Sequence, residues 1–140
     1  MTTESYLGQI ERLEKMIQNK ISEIQRLKTI ACSVTVSNEG ERVQKTTEKD
    51  KLGLIVSKVV DLETETEGVV SDFLKKRNEI IQQIDGMENV DYYHVLSMRY
   101  VSLNTIEEIA SKTNWSVRKV YDLKKKALQE FEKIYGNRYL

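Results

Sequence analysis

From Tyr6 to Ala31 the apolar side chains step by alternating fours and threes, through Tyr6, Ile10, Leu13, Ile17, Ile24, Leu27 and Ala31, with Lys20 in the one polar seat. A mean spacing of roughly 3.5 residues is that of a coiled-coil seam, so the stretch from Glu4 predicts a long helix with one adhesive side. Lys20, with Ile21 beside it, weakens that seam or sets its register. Periodicity is then lost over 33–48, which reads as a loop. Within it Val34, Val36 and an Asn-Glu-Gly turn leave room for a short β-hairpin. A second stripe, Leu52, Ile55, Val59, Leu62, Val69, Phe73, Ile80, Ile84 and Met87, predicts a helix over about 50–87. Unbroken, it would span on the order of 57 Å. Gly53 and Gly68 interrupt it, each at a cost of about 1 kcal/mol relative to alanine. The two helices can fold back as an antiparallel hairpin. The longer stripe then exceeds its partner's reach, and the surplus must meet the C-terminal part, a second protomer or a foreign protein.

A third helix is predicted over about 91–101, carrying Tyr92, Val95, Leu96, Met98 and Tyr100, and beyond it the pattern shortens. Thr105 and Glu108 have the spacing of a capping box. Ala110 sits where two helices must approach closely, and Asn114 suits a left-handed turn residue. Ser116 can cap a second helix, and Trp115 with Val120 can staple its entry. In that helix Val120, Leu123, Ala127, Phe131 and Ile134 form a stripe for burial. The other face carries Val117, Arg118, Tyr121, Asp122 and Lys125. Two short helices about a tight turn, the second rich in positive charge, have the layout of a DNA-reading helix-turn-helix. Arg118 has the fork to meet guanine, and Asp122 can accept from cytosine. Lys119, Lys124 and Lys126 flank the face and suit phosphates, and Lys112 on the preceding helix joins the DNA-binding set.

Composition sharpens this picture. The 140 residues contain no proline, and 39% are apolar against 31% charged, which favours long helices over sheet. Net charge is zero, yet its distribution is uneven: residues 50–91 hold five basic and ten acidic side chains, whereas 92–140 hold nine and five. The reading end is thus net positive beside an acidic middle. Cys32 is the single cysteine, so no disulfide can form within one chain, and a reducing cytoplasm is expected. No segment approaches the roughly twenty apolar residues of a membrane span. One histidine, His94, and one distant cysteine make no zinc pattern, and the six glycines are too dispersed for a phosphate loop. Asp61, Glu63, Glu65 and Glu67 read as a solvated face rather than a cation site. Neither an enzymatic centre nor a cofactor nor a metal is expected.

Taken together, Val95-Leu96-Ser97-Met98-Arg99-Tyr100, Thr105 through Ala110, and Ser116 through Leu128 resemble region four of the primary bacterial sigma factors. That resemblance covers about the last third of the chain. It implies a helix-turn-helix that reads promoter DNA while resting on RNA polymerase. The whole layout, with Gly-Glu-Arg-Val-Gln at 40–44 between the long helices, resembles a family of small phage and prophage proteins of Gram-positive bacteria. Related phage proteins regulate late transcription, which implies a phage-borne transcription factor acting in the host cytoplasm. The family's base-touching positions fall on Val117, Arg118 and Asp122. These replace its usual Arg, Glu and Gln, so the host promoter sequence is not implied as the target. Nothing matches the sigma regions that read and melt the downstream promoter element, so independent initiation is not implied.

The chain is therefore expected to be all-α. Residues 1–90 would form a helical hairpin for oligomerisation or docking, and 91–140 a helix-turn-helix domain. The expected function is a DNA-binding transcription regulator. Its expected partners are double-stranded DNA, host RNA polymerase and a second copy of itself as a homodimer, with no membrane. Two alternatives remain open: a protein-interaction module docking on polymerase or a phage protein, and a packaging protein similar to small terminase subunits.

Overall fold

The computed structural model describes the backbone of residues 1–37 and 45–140, and the side chains of 1–33 and 49–140. Its helices are α1 (Thr3–Leu7), α2 (Gln9–Ser37), α3 (Lys45–Asp85), α4 (Val90–Leu96), α5 (Ile106–Thr113) and α6 (Val117–Tyr135), with a π turn over Ser97–Val101 and a 3-10 turn over Gly136–Arg138. No strand occurs among the described residues, and the fold is all-α. The helix expected from Glu4 is interrupted by a turn at Gly8, which separates α1 from α2, and α3 stops at Asp85, but at their facing ends both long helices reach further than their hydrophobic periods suggest. Residues 33–37 and 45–48 are helical, so the β-hairpin admitted at Val34 and Val36 does not form. Extending an existing helix adds one hydrogen bond per residue fixed, and that outweighs the small β preference of a Val-Thr-Val run. The Asn-Glu-Gly turn and the segment 40–44 lie outside the described residues.

Gly53 and Gly68 do not break α3, which is continuous over 41 residues. A Cβ at either position would meet nothing within 4 Å, and neither glycine has positive φ. Gly53→Ala and Gly68→Ala are therefore each expected to stabilise the protein by up to about 1 kcal/mol. Chemical denaturation should show a higher midpoint at unchanged slope, and a lowered midpoint would refute this account of α3.

The chain divides into two compact units, residues 15–72 and residues 1–14 with 73–140. In the first, Ile24, Val59 and Thr66 are buried, and two ion pairs join the helices, Lys20–Glu65 at 2.9 Å and Lys28–Glu63 at 3.1 Å. Lys20 thus fills its seat in the seam by reaching a carboxylate across the interface. Solvent screening keeps such a pair to roughly 0–1 kcal/mol, enough to favour one register but not to hold the helices together. The anticipated stripes face inward, with Ile17, Leu27, Ala31, Leu52, Ile55 and Leu62 half-buried. The exposed apolar side chains Leu54, Val56 and Val60 lie off the stripe.

The second unit holds a single core. Tyr6, Leu7 and Ile10 from the N-terminal segment meet Ile80, Ile84 and Met87 from the end of α3, Val95, Leu96 and Tyr100, Ile106 and Ile109 of α5, and Val120, Ala127 and Phe131 of α6. The surplus end of the α3 stripe is therefore covered by the chain's own C-terminal part. By contact, residues 1–14 and 73–90 group with 91–140. Helices α4 to α6 form a small unit with limited apolar area, and the residues from 1–14 and 73–90 add to its core.

Candidate nucleic-acid interface

Local capping chemistry builds the α5–α6 turn. Thr105 caps α5 by accepting from the Glu108 amide at 3.2 Å, the first half of the expected box. Asn114 ends α5 with φ 61° in the left-handed region, as its side chain tolerates. Ser116 caps α6 by accepting from the Lys119 amide at 3.1 Å. Between them the Trp115 amide donates to Thr113 Oγ1 at 3.3 Å, and the half-buried Trp115 side chain packs on the core that holds Val120.

The segment before α5 is less ordinary. Over Ser97–Val101 the helix loosens into a π turn, closed by Ser102 N–H donating to Ser97 O at 3.0 Å. Leu103 then takes φ 58°, a left-handed conformation that costs a non-glycine residue about 1 kcal/mol or more. Asn104 closes the loop: its amide donates to Met98 O at 2.9 Å, and its side chain, buried, accepts from Lys112 Nζ at 3.1 Å.

Burial along α6 follows the expected stripe through Val120, Leu123, Ala127 and Phe131 and then drifts. Ile134 is 46% exposed, and Tyr135 takes its place with its ring 4.9 Å from Phe131. The hydroxyl of Tyr135 lies where a Cβ on Gly86 would stand, so only glycine permits this approach. At about 3.6 residues per turn Ile134 stays nearly in phase with Val120, so helical phase does not cause the exchange; contact with Phe131 and the room left at Gly86 seat Tyr135 instead.

The nine residues singled out for DNA fall into two groups. Val117, Arg118, Tyr121, Asp122 and Lys125 share an exposed side of α6, and Lys126 is exposed nearby. Among the described residues none pairs with Arg118, Lys125 or Lys126. The other three cations are engaged within the protein. Lys112 is tied to Asn104, and Lys119 lies over the Trp115 ring at 5.1 Å from its centroid. Lys124, with a side chain only 18% exposed, pairs with Glu4 at 3.0 Å.

Glu4 is the residue that sequence reasoning missed. It sits in the first turn of α1, which Thr2 caps, and α1 packs on α6. Besides holding Lys124, its charge acts on the buried Tyr100 phenol. Burial first and the Glu4 carboxylate second push that phenol well above the usual tyrosine range. No local pattern could flag an ion pair between positions 120 residues apart. Tyr139 is fixed against α1 in the same way, stacked on Tyr6 at 4.2 Å and sharing a 2.8 Å hydrogen bond with Thr3.

Among the described residues no group of three His, Cys, Asp or Glu side chains is placed to hold a metal, and Glu63 and Glu65 face lysines instead. No helix among them is long and apolar enough to cross a membrane. A family model described as "Protein of unknown function (DUF1492)" matches residues 34–132. The chain belongs to this family. No curated protein and no solved structure matches it. In this DUF1492 member the matched span takes in α5, the Asn114 turn and nearly all of α6, but leaves out α1 and its Glu4.

Proposed function

We propose that the chain is a sequence-specific DNA-binding transcription regulator of phage or prophage origin, with α6 seated in the major groove and host RNA polymerase as its working partner. The observation that carries the proposal is the free side of α6. A serine-capped helix follows a left-handed Asn turn and presents Arg118, Asp122 and Lys125 to solvent, with no partner for Arg118 or Lys125 among the described residues. Base edges are read by side chains of the first turns of such a helix, and phosphates by the flanking cations. Asp122 has a place in this reading, because a carboxylate accepts from cytosine but repels phosphate. The polymerase partner rests on the sigma region-four resemblance of the same segment. A homodimer fits as well, since two reading helices on two half-sites bind more tightly than one, and exposed Leu54, Val56 and Val60 offer apolar area to a second copy.

Selection of bound fragments from the parent genome by the full chain tests the reading. Enrichment upstream of a late operon is the expected result. Enrichment at a packaging site would favour a small-terminase-like role, and no enrichment together with capture of polymerase would favour a pure protein-interaction module.

The engaged state of Lys124 adds a second expectation. If Lys124 belongs to the phosphate-facing set, Glu4 competes with DNA for it. Glu4→Gln should then steepen the salt dependence of binding by about one unit and raise affinity at low salt. The loss of one exposed ion pair should leave folding nearly unchanged. An unaltered slope would remove Lys124 from the interface.

A further inference from the structure

We propose that Val117 and Tyr121 read the C5-methyl groups of thymine, so that the duplex held by α6 carries thymine beside the base pair met by Arg118. The inference rests on α6 being the DNA-reading helix. Val117 and Tyr121 are one turn apart and share one side of the helix. They are 41% and 53% exposed, while the buried stripe of α6 runs through Val120, Ala127 and Phe131. Packing therefore does not account for them. Helix propensity does not either, because a β-branched and an aromatic side chain both lose rotamer freedom in a helix, and an exposed position is better served by Ala, Lys or Glu.

The surroundings identify the occupant. Within 117–126 the helix carries Arg118, Lys119, Lys124, Lys125 and Lys126 against the single acid Asp122. Lys119 lies over Trp115 and Lys124 pairs with Glu4, but Arg118, Lys125 and Lys126 remain exposed. Such a surface suits a polyanion, and an apolar protein partner would have to strip water from those three cations. The major groove offers one apolar group on its floor, the thymine methyl, and apolar side chains are its usual contacts. Val117 is the first residue of α6 and adjoins Arg118, in the part of a reading helix that lies nearest the base edges. Val117 covers one methyl, and the Tyr121 ring covers the next along the groove. Shielding one methyl from water corresponds to about fourfold in affinity.

The test selects tight-binding duplexes from a random library with the full chain, then replaces each thymine of the selected site by uracil, one at a time. Uracil pairs identically and lacks only the methyl. Two positions are expected to lose about fourfold each. Val117→Ala should abolish the first loss and Tyr121→Ala the second, with melting curves unchanged because both side chains are exposed. A selected duplex indifferent to uracil throughout, or uracil losses that persist in both variants, would overturn the methyl reading and leave DNA binding by α6 intact. Failure to select any duplex would overturn both.

Discussion

Phe131→Ala is expected to remove about 3–5 kcal/mol from the stability of the unit formed by residues 1–14 and 73–140. Phe131 is fully buried and is the largest side chain at the centre of that core. Its ring lies 6.1 Å from Tyr6, 4.9 Å from Tyr135 and 6.2 Å from Tyr139, so truncation loses contact with the N-terminal segment and the C-terminal turn at once. The cavity cannot close readily, because Tyr139 is held by its stack on Tyr6 and its bond to Thr3, and Tyr135 by Gly86. A loss of this size is a large share of the roughly 5–15 kcal/mol of an ordinary domain. The single tryptophan, Trp115, lies in the same unit, so its fluorescence during urea titration reports this unfolding specifically. A midpoint close to that of the unaltered protein would mean that the three aromatic contacts do not bind the terminal segments to α6.

The second large effect is expected on binding rather than on stability. Arg118→Ala should erase about 1–3 kcal/mol of discrimination at one base pair of the selected site, because a bidentate fork onto guanine is lost. Lys125→Ala should weaken every duplex alike and lower the salt slope by about one unit. Both side chains are exposed, and their removal leaves the core untouched. Base-by-base competition at two salt concentrations separates the outcomes. If both variants keep the parent's affinity and preference, α6 does not read DNA with this face.

Much of the local structure was legible in the residues. Thr105, Asn114 and Ser116 occupy the cap and turn positions their chemistry suggests, because capping acts over three or four residues and is complete within the segment. The seam from Tyr6 to Ala31 and the stripe from Leu52 to Met87 face inward for a similar reason, since helical periodicity alone places them on one side. Phase does not settle the end of α6, where Ile134 turns outward and Tyr135 turns in because its ring finds contact with Phe131 and room at Gly86.

What tertiary structure alone decided is which distant segments meet. The period of α3 indicates that Ile80, Ile84 and Met87 need cover, but not that α4, α6 and the N-terminal segment provide it. The Tyr6–Tyr139 stack joins residues with no periodic relation, and the Glu4–Lys124 pair does the same. The charge pattern of α5 and α6 marks Lys112, Lys119 and Lys124 as equivalent to Lys125. Their surroundings separate them: Lys112 and Lys119 are taken up by near neighbours in the chain, Asn104 and the Trp115 ring, whereas Lys124 is taken up by Glu4, which comes within reach only when the chain closes on itself. Hydrogen-bond spacing and helical phase are properties of neighbours and are written in the local sequence. Whether Lys124 stays free depends on a contact between segments far apart in the chain, and only the folded core brings those segments together.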